Sequence, residues 1–411
     1  MPARAQRLPS YALFAALLSA AGLPIYIHAP KFYVDEYGVS LAALGTVLFG
    51  LRLLDVVQDP LFGRWSERLR AQRGWAVLIG AVVMSVAMLG LFAVAPPISP
   101  LLWFALMLSL VFSGFSFLTI CFYAQGVAKA RNLPGSGHLA LARWRETGAL
   151  LGVCVASVAP VALGSVMGAP FAGFAFGFAV LAIAAILAMR GEWRDAKLPP
   201  STGFGTVLGD RVARQLLVIA LCNAAPVAVS STLFLFYVEI ALEAPGWEGA
   251  LLLLFFVSAA AAAPFWGMLA IRFGGKPVLL AAMALGILAF GGALFLGPGD
   301  VWLFALVCFA SGAVLGADLT LLPAMFATRM ARISPSAAEG FGLWSFVSKL
   351  TLAIAAAVLL PLLERAGLQS GADQSPPEAV RLLIILYAGV PCALKLIAIA
   401  LLSGVKDLEE A

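Results

Sequence analysis

Charge is scarce in this chain. Of its 411 residues only 11% are Asp, Glu, Lys or Arg, whereas a soluble domain carries about 25%. Histidine is scarcer still. His28 and His138 are the only two, and neither has another plausible ligand near it in sequence, so a metal site is not expected. The five cysteines, Cys121, Cys154, Cys222, Cys308 and Cys392, lie far apart inside apolar runs with no CxxC spacing. They read as small buried hydrophobes. There is no G-x-x-x-x-G-K-[ST] loop to cradle a nucleotide, so ATP is not the direct energy source. No Ser/His/Asp constellation appears in the apolar runs, and no enzyme activity or cofactor is expected. The formal net charge of +5 reads as loop topology, not as a nucleic-acid surface.

What the chain has is apolar sequence: 62% hydrophobic residues and a mean hydropathy of +1.00. At about 20 residues per crossing, twelve spans are expected. They fall at 10–28, 41–62, 75–95, 101–124, 143–163 and 170–189, then at 215–238, 248–270, 278–297, 301–327, 339–363 and 380–403. The run from Ser10 to His28 is too long for a signal-peptide core and many more spans follow, so it reads as the first transmembrane helix. A polar stretch from Arg190 to Arg214, holding Pro199, Pro200 and Gly203, divides the chain near its midpoint. The expected organisation is an N-terminal six-helix bundle (1–189), a linker (190–214) and a C-terminal six-helix bundle (215–411). Lys and Arg concentrate on one set of loops, which places both termini in the cytoplasm of a multi-pass plasma-membrane protein.

The second span is the unusual one. It carries Arg52, Asp55 and Asp59. Asp55 and Asp59 are four residues apart and Arg52 is three before Asp55, so a helix puts all three on one face. An ionised carboxylate inside a membrane is costly unless it meets a partner, water or a cation, and two stacked carboxylates repel each other. The pair is expected to face the protein interior or a wet cavity. Either it holds a monovalent cation or proton, or it only clamps neighbouring helices.

The halves also look repeated. Pro60-Leu-Phe-Gly63 with Arg68 has its counterpart in Pro264-Phe-Trp-Gly267 with Arg272, about half a chain later. Such internal symmetry marks secondary transporters. At the same offset Asp55 corresponds to Ala259 and Asp59 to Ala263, so a cation site would belong to the first half alone. Pro60 and Gly63 are expected to disturb the helix as it leaves the membrane. Glu67, Arg68, Arg70 and Arg73 are expected to pair locally and with the lipid surface, in a segment that is either a solvated positive-inside loop or a gating latch between helices.

With these residues in view, the chain resembles the major facilitator superfamily. More closely, Tyr33-x-Asp35-x-x-Gly38 followed by Arg52-x-x-Asp55-x-x-x-Asp59-Pro60-x-x-Gly63 resembles the glycoside–pentoside–hexuronide:cation symporters, the melibiose-permease-like group. Glu339-Gly340, Ser345 and Lys349 match that group, as do Arg145 and Gly152. The resemblance implies an all-α membrane protein, twelve transmembrane helices in two pseudo-symmetric six-helix bundles. It implies that Asp55 and Asp59 bind the coupling cation, H+ or Na+, with Lys349 and Arg52 in coupling roles. In that group an acid on helix 1 and another on helix 4 bind the sugar; the matching positions here are Ser19 and Cys121, neither of them acidic. The galactoside mode is therefore not expected. Besides Ser19 and Cys121, the substrate-binding candidates are Tyr26, Tyr123, Gln125, Arg145, Glu146, Asn223, Asp318 and Trp344. Arg145 either clamps a carboxylate or phosphate or pairs internally with Glu146 or a helix-2 acid. Asp318 is either a proton carrier or substrate contact, or is hydrogen-bonded to a neighbouring backbone or hydroxyl group.

The leading expectation is alternating-access symport of a small polar organic solute such as a sugar or glycoside by a monomer, with the lipid bilayer as its other partner. The alternative is a proton-driven exporter of amphipathic compounds or a lysolipid-type transporter. No extra hydroxyl-rich cluster is evident, which favours the proton over sodium.

Overall fold

The computed structural model describes residues 8–130, 133, 137–164, 166–194, 203–334, 337–366 and 376–405. All regular structure among them is helical.

The first span is a broken helix. α1 (Leu8–Ala20) stops before Ala21-Gly22, and α2 (Leu23–Tyr37) starts with a proline in its first turn. Proline has no N–H to bond back into α1 and its φ suits a helix start, so the break falls there. Ala21 N and Gly22 N close the turn on Leu18 O and Ser19 O, both at 3.1 Å. α2 continues past the expected end at His28, with Pro30 inside it, and stops at Gly38, whose φ of 64° is the left-handed cap that glycine adopts freely.

α3 (Leu41–Arg68) is capped by the Ser40 hydroxyl, which accepts from Ala43 N at 3.2 Å. The disturbance expected at Pro60 and Gly63 does not occur: α3 runs through both to Arg68. α4 (Arg73–Phe92), α5 (Pro100–Ala130), α6 (Gly137–Gly164), α7 (Pro170–Arg194) and the short α8 (Gly203–Gly209) follow. Then come α9 (Arg211–Phe236), α10 (Glu248–Phe273), α11 (Gly275–Gly291), α12 (Val301–Ile333), α13 (Ala338–Arg365), α14 (Pro377–Ile384) and α15 (Val390–Ser403). A π-turn, Tyr237–Ala241, extends α9, and another, Ile385–Gly389, joins α14 to α15. The middle of the expected linker, 195–202, lies outside the described residues.

Ten helical stretches among the described residues are long and apolar enough to cross a membrane. The α1–α2 pair and the 28-residue α3 complete twelve spans. The protein is an all-α membrane protein. Large apolar side chains such as Val57, Ile79, Val155, Leu288 and Trp302 are exposed, as a lipid-facing surface requires.

The chain divides into two compact units: Met1–Gly209 with Ala327–Phe346, and Asp210–Phe326 with Val347–Ala411. The first unit is held at its tightest by α1 against α6. A Cβ on Gly148 would come within 2.1 Å of Ala12 O, and one on Gly152 within 2.5 Å of Ala16 O, so these backbones touch as only small residues allow. Phe14, Phe122, Tyr11 and Trp193 fill the core beside this seam. In the second unit, Gly312 and Gly316 on α12 press against α10, where added Cβ atoms would meet Phe255 O at 2.3 Å and Ala259 O at 2.7 Å. The rings of Tyr237 and Tyr387, one from each π-turn, stack at 4.1 Å.

Candidate cation and solute site

α3 has an inverted amphipathic face. Asp55, Gln58, Asp59 and Ser66 are buried while Leu53, Val57, Leu61 and Trp65 are exposed. Asp59 is fully buried and Asp55 is 5% exposed. Both carboxylates are met by polar groups. Ser116 on α5 donates to Asp59 Oδ1 at 2.5 Å, and Ser345 on α13 donates to Oδ2 at 2.5 Å. Gln58 Nε2 donates to Asp55 Oδ1 at 2.7 Å, and Ser113 donates to Gln58 Oε1 at 2.9 Å. Hydrogen bonds to a charged group contribute about 1.5–3 kcal/mol each, enough to offset much of the cost of burying a carboxylate.

Ser113, Ser116 and Ser345 thus gather hydroxyls around the acids, contrary to the expectation of no such cluster, and the preference for the proton over sodium loses its support. Ser113, Ser116 and Gln58 were missed because two of them belong to another helix. The only trace in sequence is that Ser113 and Ser116 lie three apart, on one face of α5.

Gly63 explains why α3 passes α13 so closely. A Cβ on Gly63 would sit 3.2 Å from Ala338 O, and one on Gly342 would sit 3.0 Å from Asp59 O. The Pro60-x-x-Gly63 signature thus serves a backbone contact that lets Ser345 reach Asp59. At the corresponding position of the second unit the arrangement changes: the main chain of Ala259 and Ala263 on α10 lies against Gly316 on α12.

The substrate candidates separate. Arg145 takes its internal partner: its Nε donates to Glu146 Oε1 at 2.7 Å, and its guanidinium lies 3.9 Å over the Tyr123 ring. Arg145 Nη2 is buried without a hydrogen-bond partner. Tyr123 also packs against Phe341 at 4.8 Å. Arg145, Glu146 and Tyr123 therefore form one cluster. Gln125 is drawn elsewhere, donating to Glu192 O at 2.7 Å, while Lys129 pairs with Glu192 Oε1 at 2.9 Å. Cys121 is fully buried, with Sγ 3.2 Å from Ser66 Oγ. Ser19 and Trp344 are half-buried, as is Lys349, one turn beyond Ser345 on α13. The side chains of Tyr26 and Arg52 lie outside the described residues.

Asp318 is not tied to backbone or hydroxyl. It forms an ion pair with Lys395 on α15, and Lys395 Nζ also donates to Asn223 Oδ1 at 2.6 Å. Arg70 pairs with Glu67 at 3.1 Å, as expected of a local pair. Arg73 instead is buried, 2% exposed, rather than turned to the lipid surface.

A family model described as MFS/sugar transport protein matches residues 10–406. No curated protein matches. Among solved structures, a bacterial homologue of the iron transporter ferroportin in an outward-facing state is similar, with 15% identity, a TM-score of 0.67, and coverage of 98% of this chain and 100% of that one. The same homologue soaked with iron gives 16% identity, a TM-score of 0.68, and coverage of 96% and 98%. The human organic anion transporter MFSD10 (TETRAN) gives 15% identity, a TM-score of 0.66, and coverage of 98% and 100%. At these identities the likeness is one of fold.

Proposed function

Starting from a chain that belongs to the MFS/sugar transport protein family, a transporter and not an enzyme, we propose that it is a cation-coupled symporter of a small polar organic solute such as a sugar or glycoside. Asp55 and Asp59 hold the coupling cation, H+ or Na+. Ser116 and Ser345 turn their lone pairs to a metal cation, or keep donating to the carboxylate when a proton is absent. Lys349 and Arg52 act in coupling. The solute meets Arg145, Glu146 and Tyr123. The protein works as a monomer in a bacterial inner membrane with both termini cytoplasmic, and its site opens to the two sides in turn. The observation that carries this reading is a fully buried Asp59 bonded by two hydroxyls from two other helices. Intramembrane acids of this kind are functional as a rule.

The test is counterflow of labelled sugars into proteoliposomes, with and without Na+ and across a pH series. Cation-stimulated uptake that disappears in Asp59→Cys supports the reading; uptake indifferent to both cations overturns it.

The second reading is proton-driven export of amphipathic compounds or transport of a lysolipid. It is favoured by Cys121, which is buried on Ser66 at a position where the sugar-transporting relatives would be expected to carry an acid. Drug hypersensitivity on deletion, without sugar counterflow, would select it.

A further inference from the structure

We propose that the second unit carries a binding site of its own, formed by Asp318, Lys395 and Asn223, that takes a small monocarboxylate together with one proton. The proposal rests on the transporter reading only in expecting the ligand to be moved.

Lys395, Asp318 and Asn223 come from α15, α12 and α9, and each is no more than 7% exposed. The Lys395 ammonium has three N–H groups. One goes to Asp318 Oδ2 and one to Asn223 Oδ1. The third is not engaged by either bond. Asp318 Oδ1 is buried with no hydrogen-bond partner. The site therefore keeps one free donor and one free acceptor, on neighbouring groups.

Asp318 and Lys395 both border a cavity of about 70 Å³, several times the ~10–15 Å³ that a single water needs. Its other walls include Pro226, Phe255, Phe290, Val314 and Pro391. Asp318 and Lys395 are its only charged lining groups among the described residues. α15 adds the Cys392 thiol, α9 and α12 add the hydroxyls of Ser230 and Ser311, and α10 and α11 contribute no titratable side chain to the lining.

Charge balance selects the ligand. Empty, the pair is neutral. A net charge in an apolar interior is expensive, so a tightly held occupant must leave the site neutral. A carboxylate alone would set two anions against one ammonium. A carboxylate accompanied by a proton from the medium restores neutrality, because the proton bonds to Asp318 Oδ1. That oxygen then becomes a donor into the cavity. The ligand's two oxygens accept from Asp318 O–H and from the third Lys395 N–H, and every free valence of the site is used. The apolar walls take a short alkyl chain.

The test is calorimetry of propionate binding to the detergent-purified full chain, in two buffers that differ in ionisation enthalpy. The expected result is binding with uptake of one proton, and an affinity that falls about tenfold per pH unit where that proton is gained on binding. Propan-1-ol and propylamine should bind at least tenfold more weakly. Lys395→Met should abolish binding, and Asp318→Asn should retain it without proton uptake and with a flat pH profile. Propionate binding without proton uptake, equal binding of propan-1-ol, or no propionate binding to a monodisperse protein would each overturn the proposal. If Asp318→Asn does not fold, the proton count of the unmutated protein decides. Asp59-dependent solute uptake is measured separately in proteoliposomes, so failure of that reading and failure of this one are told apart.

Discussion

Ser345 on α13 donates to Asp59 Oδ2 at 2.5 Å, and it does so across a helix contact in which Gly63 and Gly342 are too close for side chains. The carboxylate and the seam are one device: the glycines set the approach and the serine uses it.

Removing either hydroxyl should therefore change cation binding without unfolding the protein: Na+ loses a ligand and binds more weakly, whereas a carboxylate that loses a donor holds its proton more tightly. Ser345→Ala and Ser116→Ala each delete one hydrogen bond to a charged group, about 1.5–3 kcal/mol. The half-saturating Na+ concentration should rise by about ten- to a hundredfold, or the pH midpoint should rise by about one to two units if the proton couples, measured by uptake in proteoliposomes. An unchanged cation titration in both variants would place the coupling ion elsewhere.

Asp59→Asn should uncouple the protein. Accumulation driven by a cation gradient is lost, while solute exchange at equal concentrations persists, because Asn keeps the two hydroxyl contacts but carries no charge. Parallel measurement of uphill uptake and equilibrium exchange separates this from simple misfolding.

The α1–α6 seam should tolerate nothing. A Cβ at Gly148 would lie 2.1 Å from Ala12 O, so Gly148→Ala must push two backbones apart. Overpacking costs about 1–3 kcal/mol even when side chains can yield, and here main chain must move. Gly45→Ala has nothing within 4 Å and serves as the comparison. Thermal unfolding in detergent should show a clear drop for the first and little change for the second.

Lys129 and Glu192 form a pair whose side chains are only 10% and 12% exposed. Losing one partner leaves a largely buried charge, at about 3–5 kcal/mol. Glu192→Gln should destabilise the first unit more than the double variant Lys129→Met with Glu192→Gln. A double-mutant cycle on thermal stability measures the difference.

Much of this architecture could be read from the sequence, because twenty-residue apolar runs are an unambiguous length signal. The acids of α3 were legible for the same reason: charge in such a run is conspicuous. The break at Ala21-Gly22 and the continuation of α3 through Pro60 were not, since a proline is compatible with both outcomes and packing decides. The π-turns leave no mark on hydrophobic periodicity. Ser116 and Gln58 look like ordinary polar residues until α3 and α5 are set side by side. Lys395 was visible only as a lysine within a span, and its partner Asp318 lies on another helix, a relation that no local pattern carries.

The Ala259–Ala263 face of α10 closes against Gly316 on α12, at the positions that match Asp55 and Asp59 in the sequence repeat. There the two helices meet main chain to main chain, and any side chain at Gly316 would have to part them. The second unit thus uses for close packing the helix positions at which the first unit carries its acids.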